Sequence, residues 1–556
     1  MKKLLLVILL LTSCVIAQIE DAIKVNNIYL PFNNAGILGE VNIPPLGQGG
    51  QFAGNVFLFS GGFWLSGYAN DELFANGVAS ASLVEDYQPG TVGSSPDDLK
   101  NIIYRISENS EPFGEDWIKW KDAVEQGAYF YDGDADGIYE PVDKNSNGIW
   151  DADEDRPDLI YDELYFTVFN DGVPSSNRRW HTVNPLGIEV RQSIFGSARN
   201  SILNNTFFVR YSIVNTGLIA DTLKDVIFTS WQDADVGDYI DDTFGSDSTL
   251  SSTFMYDLDN HDNDYGIPPA VYFTLVQSPK NYTGNPNDYA INKMGSILGE
   301  EQLQYYQNVE ERSATYYRKS DPFSGDPNSV QEARNYSLGL NRLGDPIDPC
   351  VSNFGRPNEM AVVNCMDCED VTNLFWVSGD PVTNCGWLSI DESDIRSSLH
   401  SNFFEMPVNE PIDIIVAYTI DQGTDGMNSL DLVRERVQYI HEEYERNFST
   451  IVSVDDKPEE VVNEFSLSQN YPNPFNPTTT IQYTISNVGD ENIRPLRTQL
   501  IVYNILGQVV KTLVNEVKAP GSYEVTFDAS QLSSGVYFYR LQSGDFMQTR
   551  KMIHMK

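Results

Sequence analysis

The sequence predicts a mainly β protein: a β-sandwich body with a loop insert, one late amphipathic helix and a small C-terminal β-sandwich. Three observations predict it. Short segments rich in Val, Ile, Phe and Tyr recur along the chain, punctuated by Gly, Asn and Asp, which is the pattern of strands and turns. One late stretch carries a clear helical period. Aromatic residues make up 12% and hydrophobic residues 41% of the 556 positions, enough to bury a large core and too many for a disordered chain.

The chain opens with Lys2 and Lys3, an apolar stretch from Leu4 to Leu11, and Val15-Ile16-Ala17 before Gln18. This predicts a signal peptide over 1–17, cleaved after Ala17. Leu11-Thr-Ser-Cys14 loosely fits a lipobox, so lipoprotein processing at Cys14 is the rival. The stretch is too short to span a bilayer, which takes about 20 apolar residues, and no later segment reads as transmembrane. Residues 18–131 form an N-terminal β-rich region, with Val56 to Leu65 as its clearest strand.

Residues 132–155 hold the sharpest local pattern. Slid by eleven positions, Asp132, Asp134, Asp136, Gly137, Ile138, Tyr139, Glu140 and Asp143 fall on Asp143, Asn145, Asn147, Gly148, Ile149, Trp150, Asp151 and Glu154. Each copy has side-chain oxygens at positions 1, 3 and 5, glycine at 6 and a carboxylate at 12. A hard cation such as Ca²⁺ takes six to eight oxygens, and glycine at position 6 permits the turn that folds them inward. The expected structural calcium ligands are Asp132, Asp134, Asp136, Asp143, Asn145, Asn147 and Glu154, with the backbone carbonyls of Ile138 and Ile149, whose side chains are expected to pack inward. Asp143 is expected to serve both copies. An acidic Asx-rich turn that binds nothing is the bland alternative. Shared ligands at an eleven-residue step resemble thrombospondin type 3 repeats more than paired EF-hands, and Pro141 and Pro157 oppose flanking helices.

Residues 156–448 read as the sandwich body. Asn205 to Gly217 is a strand, with Thr222 to Trp231 as its antiparallel return; Leu164 to Phe169, Ala270 to Val276 and Ile412 to Ile420 are further strands. An acidic series follows Trp231: Asp233, Asp235, Asp238, Asp241, Asp242 and Asp247, then Asp257, Asp259, Asp262 and Asp264. It supports three readings: a further divalent-cation site, a carboxylate pair for glycoside hydrolysis, or solvated acidic loops. Cys350, Cys365, Cys368 and Cys385, even in number and clustered within 350–385, read as two disulfides with three connectivities open. A four-thiolate zinc site is the alternative. The helix has Asn428 as cap, Asp431 in the capping-box position, and a stripe of Leu430, Val433, Val437, Ile440, Tyr444 and Phe448.

Charge excludes some partners. Residues 18–464 hold 26 basic and 74 acidic residues, a net −48. Such a surface repels nucleic acid and anionic lipid. Catalytic motifs are missing: the chain has no His-Glu-x-x-His, Gly-x-Ser-x-Gly, phosphate-binding loop or dinucleotide fingerprint. No catalytic residue is assigned, and the reading leans away from an enzyme. Arg178-Arg179-Trp180-His181 could face an anionic or sugar ligand, or be an ordinary strand-flanking cluster.

A polar linker, 449–464, leads to residues 465–556, which carry eight basic and six acidic residues, net +2. Short strands broken at Asn504/Gly507, Pro520-Gly521 and Ser534-Gly535 make this a small β module. Its three motifs are Asn470-Tyr-Pro-Asn-Pro-Phe-Asn-Pro477, Tyr503-Asn-Ile-Leu-Gly-Gln508 and Gly535-Val-Tyr-Phe-Tyr-Arg540. In that order they resemble the C-terminal sorting domain of type IX secretion cargo. The body, taken with the segment 409–448, loosely resembles a family of large uncharacterised proteins with the same tail. The resemblance implies Sec export, then type IX export to the outer surface or medium, with the secretion machinery as partner and the tail removed near the linker. The functional expectation is an exported, calcium-stabilised structural or adhesive protein, with surface polysaccharide or other cells as partners. The alternative is a secreted carbohydrate-active or other hydrolase using carboxylates of the 233–264 clusters.

Overall fold

Along the strand Thr206–Asn215, Phe207, Val209, Tyr211 and Ile213 enter one buried cluster while Phe208 enters another. Successive side chains of a strand point to opposite faces, so this sheet is covered on both sides. The structure is a computed structural model. It describes residues 19–43, 47–78, 86–198, 202–319, 321–350, 360–363, 365, 367–389, 392–449, 465–485, 496–518, 521–530, 532–544 and 546–555. The expected signal peptide, and the expected linker beyond Ser449, lie outside the described residues.

In chain order, the principal elements of the body are β1 (Ser60–Ala69), β2 (Glu72–Gly77), β3 (Tyr104–Ser107), α1 (Glu115–Glu125), β4 (Glu163–Asn170), β5 (Ile188–Gly196), β6 (Thr206–Asn215), β7 (Thr222–Asp233), β8 (Asp242–Asp247), β9 (Ser252–Asp257), β10 (Ala270–Gln277), β11 (Glu311–Arg318), α2 (Val330–Ser337), β12 (Ile395–Ser401), β13 (Phe404–Pro407), β14 (Ile412–Asp421) and α3 (Gly426–Glu445). One antiparallel sheet runs β3-β4-β5-β6-β14-β10-β9-β8, with Gln88–Pro89 added on β4. The other runs β11-β12-β7-β1-β2, with β13 also on β7. The mainly β expectation holds.

Aromatic packing joins the sheets. Phe63 of β1 meets Tyr211 of β6 edge-on at 4.8 Å and stacks on Phe228 of β7 at 5.6 Å. Offset and edge-on ring pairs add about 0.5–1.5 kcal/mol to their area burial. On the outer face of the first sheet, Trp117, Trp120 and Ala123 of α1 cluster with Phe166, Phe195, Phe208 and Ile415. Beside them α3 lays Leu430, Val433 and Val437 on Phe254, Tyr256 and Tyr272. The helix α1 was not read from the sequence; its two buried tryptophans sit among charged residues that mask the apolar face.

Three expectations are corrected. First, β6 and β7 are not a hairpin: β6 pairs with β5 and β14, and β7 with β1, β12 and β13. The six residues between them, 216–221, outrun a tight hairpin turn and carry the chain from one sheet to the other. Asn215 holds this corner, donating to the carbonyls of Ala220 and Met406 and accepting from Gly217 N. Second, the run 56–65 is two strands, Asn55–Leu58 paired with Gly50–Phe52, and then β1 on β7. Third, α3 is capped by Asp425, whose carboxylate accepts from Asn428 N at 2.9 Å. Asn428 reaches back instead, accepting from Thr424 N. Phe448 lies beyond the helix and packs on Phe195 and Phe208 at 5.8 and 5.6 Å.

The cysteines pair Cys350 with Cys368 and Cys365 with Cys385, at Cα separations of 5.0 and 5.4 Å, which is one of the three open connectivities. The tail folds as its own small two-sheet β unit around Phe475, Ile481, Leu500, Phe527, Tyr539, Leu541 and Met552. The first and third motifs meet through the Tyr539 hydroxyl. Asn470 N donates to the Tyr539 hydroxyl, which donates to Ser468 O, and Phe475 N donates to Ile553 O. At the hairpin tip the Asn504 side chain accepts from Leu506 N and Gln508 N, with Gly507 at φ +77°.

Candidate metal centre

Residues 132–155 sit beside α1, on the outer face of the first sheet. Tyr139 is the anchor: it is 3% exposed, and its hydroxyl donates to Trp117 O. Trp150, eleven residues on, is half-buried, donates to Glu154 O, and lies under the Arg156 guanidinium at 4.8 Å. The expected inward packing of Ile138 and Ile149 is corrected: they are 56% and 66% exposed. The residue after each of them turns inward.

The two copies have matching backbones. Ala135 and Ser146 are left-handed at φ 59° and 58°, as are Gly137 and Gly148 at 76° and 75°. Asp132 accepts from Asp136 N and Gly137 N at 3.2 and 2.8 Å, and Asp143 from Asn147 N and Gly148 N at 3.1 and 2.7 Å. Asp136 and Asn147 each accept at 2.7 Å from the backbone of Ile138 and Ile149. These bonds curl each loop so that its oxygens face inward. Asn145 and Asn147 donate to the Asp151 carboxylate.

The closing carboxylates differ from expectation. In the second copy Glu154, fully buried, accepts from Lys144 N and Asp151 N at 2.6 and 2.9 Å. In the first copy the equivalent amides, Gly133 N and Glu140 N, donate to Asp155 at 3.0 and 2.8 Å. Asp155 thus does for the first loop what Glu154 does for the second. Oxygens of Asp132, Asp134 and Asp155 lie within 4.8 Å of one another. Asp143, expected to close the first loop, turns within the second. The signal for Asp155 was an acid directly after Glu154, next to a chain that doubles back: a Cβ at Gly133 would meet the Glu154 backbone at 2.4 Å. Lys144 lies 3.1 Å from Asp134 and holds its carboxyl below the usual range.

Five acids of the 233–264 series enter two converging trios. Asp233, Asp235 and Asp394 bring oxygens within 4.8 Å, and so do Asp241, Asp257 and Asp262. Asp394, on the approach to β12, was not read from the sequence. Arg396 bridges Asp233 and Asp394 at 3.2 and 2.5 Å. Burial pushes Asp233 up to about 8, against the pull of Arg396, and Asp235 to about 7. Asp247 and Asp259 form local turns, accepting from Thr249 N and His261 N. Within the Arg178–His181 cluster, Arg178 and Trp180 are buried and His181 is exposed. Arg178 is buried and bridged to Asp171 at 3.1 Å, and Asp171 also accepts from the backbone of Leu186, Gly187 and Ile188.

Residues 469–555 match the family described as secretion system C-terminal sorting domain. A mainly β body followed by such a unit defines a secreted or surface-exported protein. More particularly, this chain is cargo of the type IX secretion system, whose machinery its tail addresses. No helix among the described residues is long and apolar enough to cross a membrane. No curated protein matches the chain. Among solved structures, a polysaccharide lyase aligns over 66% of this chain at 8% identity with a TM-score of 0.18, and the chain spans 34% of that protein's length.

Proposed function

We propose that the exported body is a calcium-stabilised structural or adhesive protein. One observation carries the reading: two loops eleven residues apart share turns, left-handed positions and closing carboxylates, a repeated cradle of oxygens suited to a hard cation. Calcium there would hold a segment that has few apolar side chains of its own to the face of the sheet through Tyr139 and Trp150. The body's acidity suits an environment rich in divalent cations, with surface polysaccharide or neighbouring cells as partners. A melt of the full chain with calcium and with chelator tests it. Calcium should raise the unfolding midpoint; identical curves at saturating calcium reject the reading.

A second reading rests on Asp233 and Asp235, held near neutrality by burial and therefore suited to proton transfer in a hydrolase. Its test is turnover of a polysaccharide panel by the exported protein, with loss of turnover in Asp235→Asn.

A further inference from the structure

We propose that Asp241, Asp257 and Asp262, backed by Asp242, form a divalent-cation site of their own, suited to calcium and separate from the loops at 132–155. Asp242 opens β8 and Asp257 ends β9, and the two are partners across the hairpin. Asp262 belongs to the loop that follows and is fixed by three backbone amides, from Asp238, Asp264 and Tyr265, at 2.9, 2.8 and 2.5 Å. Asp241 stands one residue before β8.

Burial without compensation points to a ligand. Asp242, Asp257 and Asp262 are 0%, 1% and 1% exposed. Both carboxylate oxygens of Asp257 lack a hydrogen-bond partner, as does one oxygen each of Asp241 and Asp242. Three buried carboxylates elsewhere in the body are matched by arginine, Asp171 by Arg178, Asp158 by Arg210 and Asp233 by Arg396, and buried Glu154 and Asp155 each take two backbone amides. Here the charged groups acting on Asp241 and Asp257 are acidic, with Asp238, Asp259 and Glu392 adding to the trio, and Asp235 acts in the same sense on Asp242. Unpaired carboxylates are among the costliest groups to bury, and buried charges are paired or coordinate metals. Burial followed by mutual repulsion accordingly pushes Asp257 up to about 9 and Asp241 to about 6. A bound cation removes that cost.

The donors select the cation. They are oxygens only, which suits a hard ion over zinc or copper. Two calcium–oxygen bonds end to end span about 4.6–5.2 Å, and the three converging oxygens lie within 4.8 Å. The ion would join three segments: the loop after β7, the β8–β9 hairpin and the loop 258–267. The last of these also receives α3, since Gly426 N donates to Asn260 Oδ1.

The experiment uses the full chain with its loops disabled by Asp132→Asn and Asp143→Asn, and counts bound calcium by titration calorimetry. One equivalent should remain, and adding Asp257→Asn should abolish it. In chelator, Asp257→Asn should unfold no earlier than its parent, because it replaces a carboxyl whose oxygens have no hydrogen-bond partner, and it should lose the parent's remaining upward shift with calcium. Asp241→Asn, at a half-buried position, should weaken the same equivalent at least tenfold and serves if Asp257→Asn does not fold. A loop-disabled chain that binds no calcium overturns the proposal, and so does an equivalent that survives both substitutions. Failure of the loops instead shows as a wild-type count equal to that of the loop-disabled chain, so the two readings fail separately.

Discussion

Substituting Asp155 separates the observed closure of the first loop from the one that the eleven-residue repeat suggests. The Asp155 carboxylate is 3% exposed and takes two amides, Gly133 N and Glu140 N, at 3.0 and 2.8 Å. Asp155→Asn keeps one acceptor and turns an amide group on the other N–H. A hydrogen bond to a charged group contributes about 1.5–3 kcal/mol, so the variant should lose about that much in chelator, read from the urea midpoint at constant m. It should also lose one calcium equivalent. At a hundredfold excess over Kd, one site adds about 2.7 kcal/mol, so the deficit against wild type should grow about two- to threefold when calcium is present. Asp143→Asn should remove only the second loop's equivalent, because Asp143 accepts from Asn147 N and Gly148 N alone among backbone amides of the repeat. Combined with Asp132→Asn, Asp155→Asn should be strongly non-additive. The reasoning is refuted if Asp143→Asn empties both loops while Asp155→Asn leaves the calcium count unchanged.

Three further outcomes follow from the packing. His400 is buried between Thr229 and Thr315, and burial pushes it down from 6.5 to about 3. The unfolded chain therefore binds the extra proton, and stability falls by up to about 1.4 kcal/mol per pH unit as pH drops from the unfolded value toward the folded one; His400→Gln should flatten that slope in urea melts taken between pH 6.5 and 4. Asp171→Ala leaves the buried Arg178 guanidinium without its carboxylate and should cost about 3–5 kcal/mol by the same measurement, whereas a ligand-binding role for Arg178 would predict a change in binding with little change in stability. A chain ending at Ser449 should keep the body's unfolding transition and lose export, checked by melting and by a secretion assay, since the tail has its own core.

Much of the architecture was legible because local signals carried it. The strands at 164–169, 206–215, 270–277 and 412–421 are runs buried on both faces, so their composition alone marks them. Partner choice is not local, which is why β6 and β7 looked like a hairpin although each finds its neighbours elsewhere. In the loops, the positions of Asp132, Gly137, Asp143 and Gly148 followed from spacing, while Asp155 depended on the chain doubling back over Gly133. The trio of Asp241, Asp257 and Asp262 was visible only as part of an irregular acidic series. Its distinguishing property is burial without a cationic partner, and no spacing rule encodes that.

The strand β14 sits between β6 and β10, bonded to both. It reaches that place 197 positions after β6 ends at Asn215, since it begins at Ile412. Until it inserts, the first sheet exists as two half-sheets, β3 to β6 and β8 to β10, each with an open inner edge. Joining them means closing very long loops before the central contacts form, which makes folding slow, and open apolar edges invite pairing with other chains in the meantime. For an exported protein, a central strand that arrives late has a further consequence. The first sheet cannot close at its centre until residues 412–421 are available, so a chain still short of them stays open along that line.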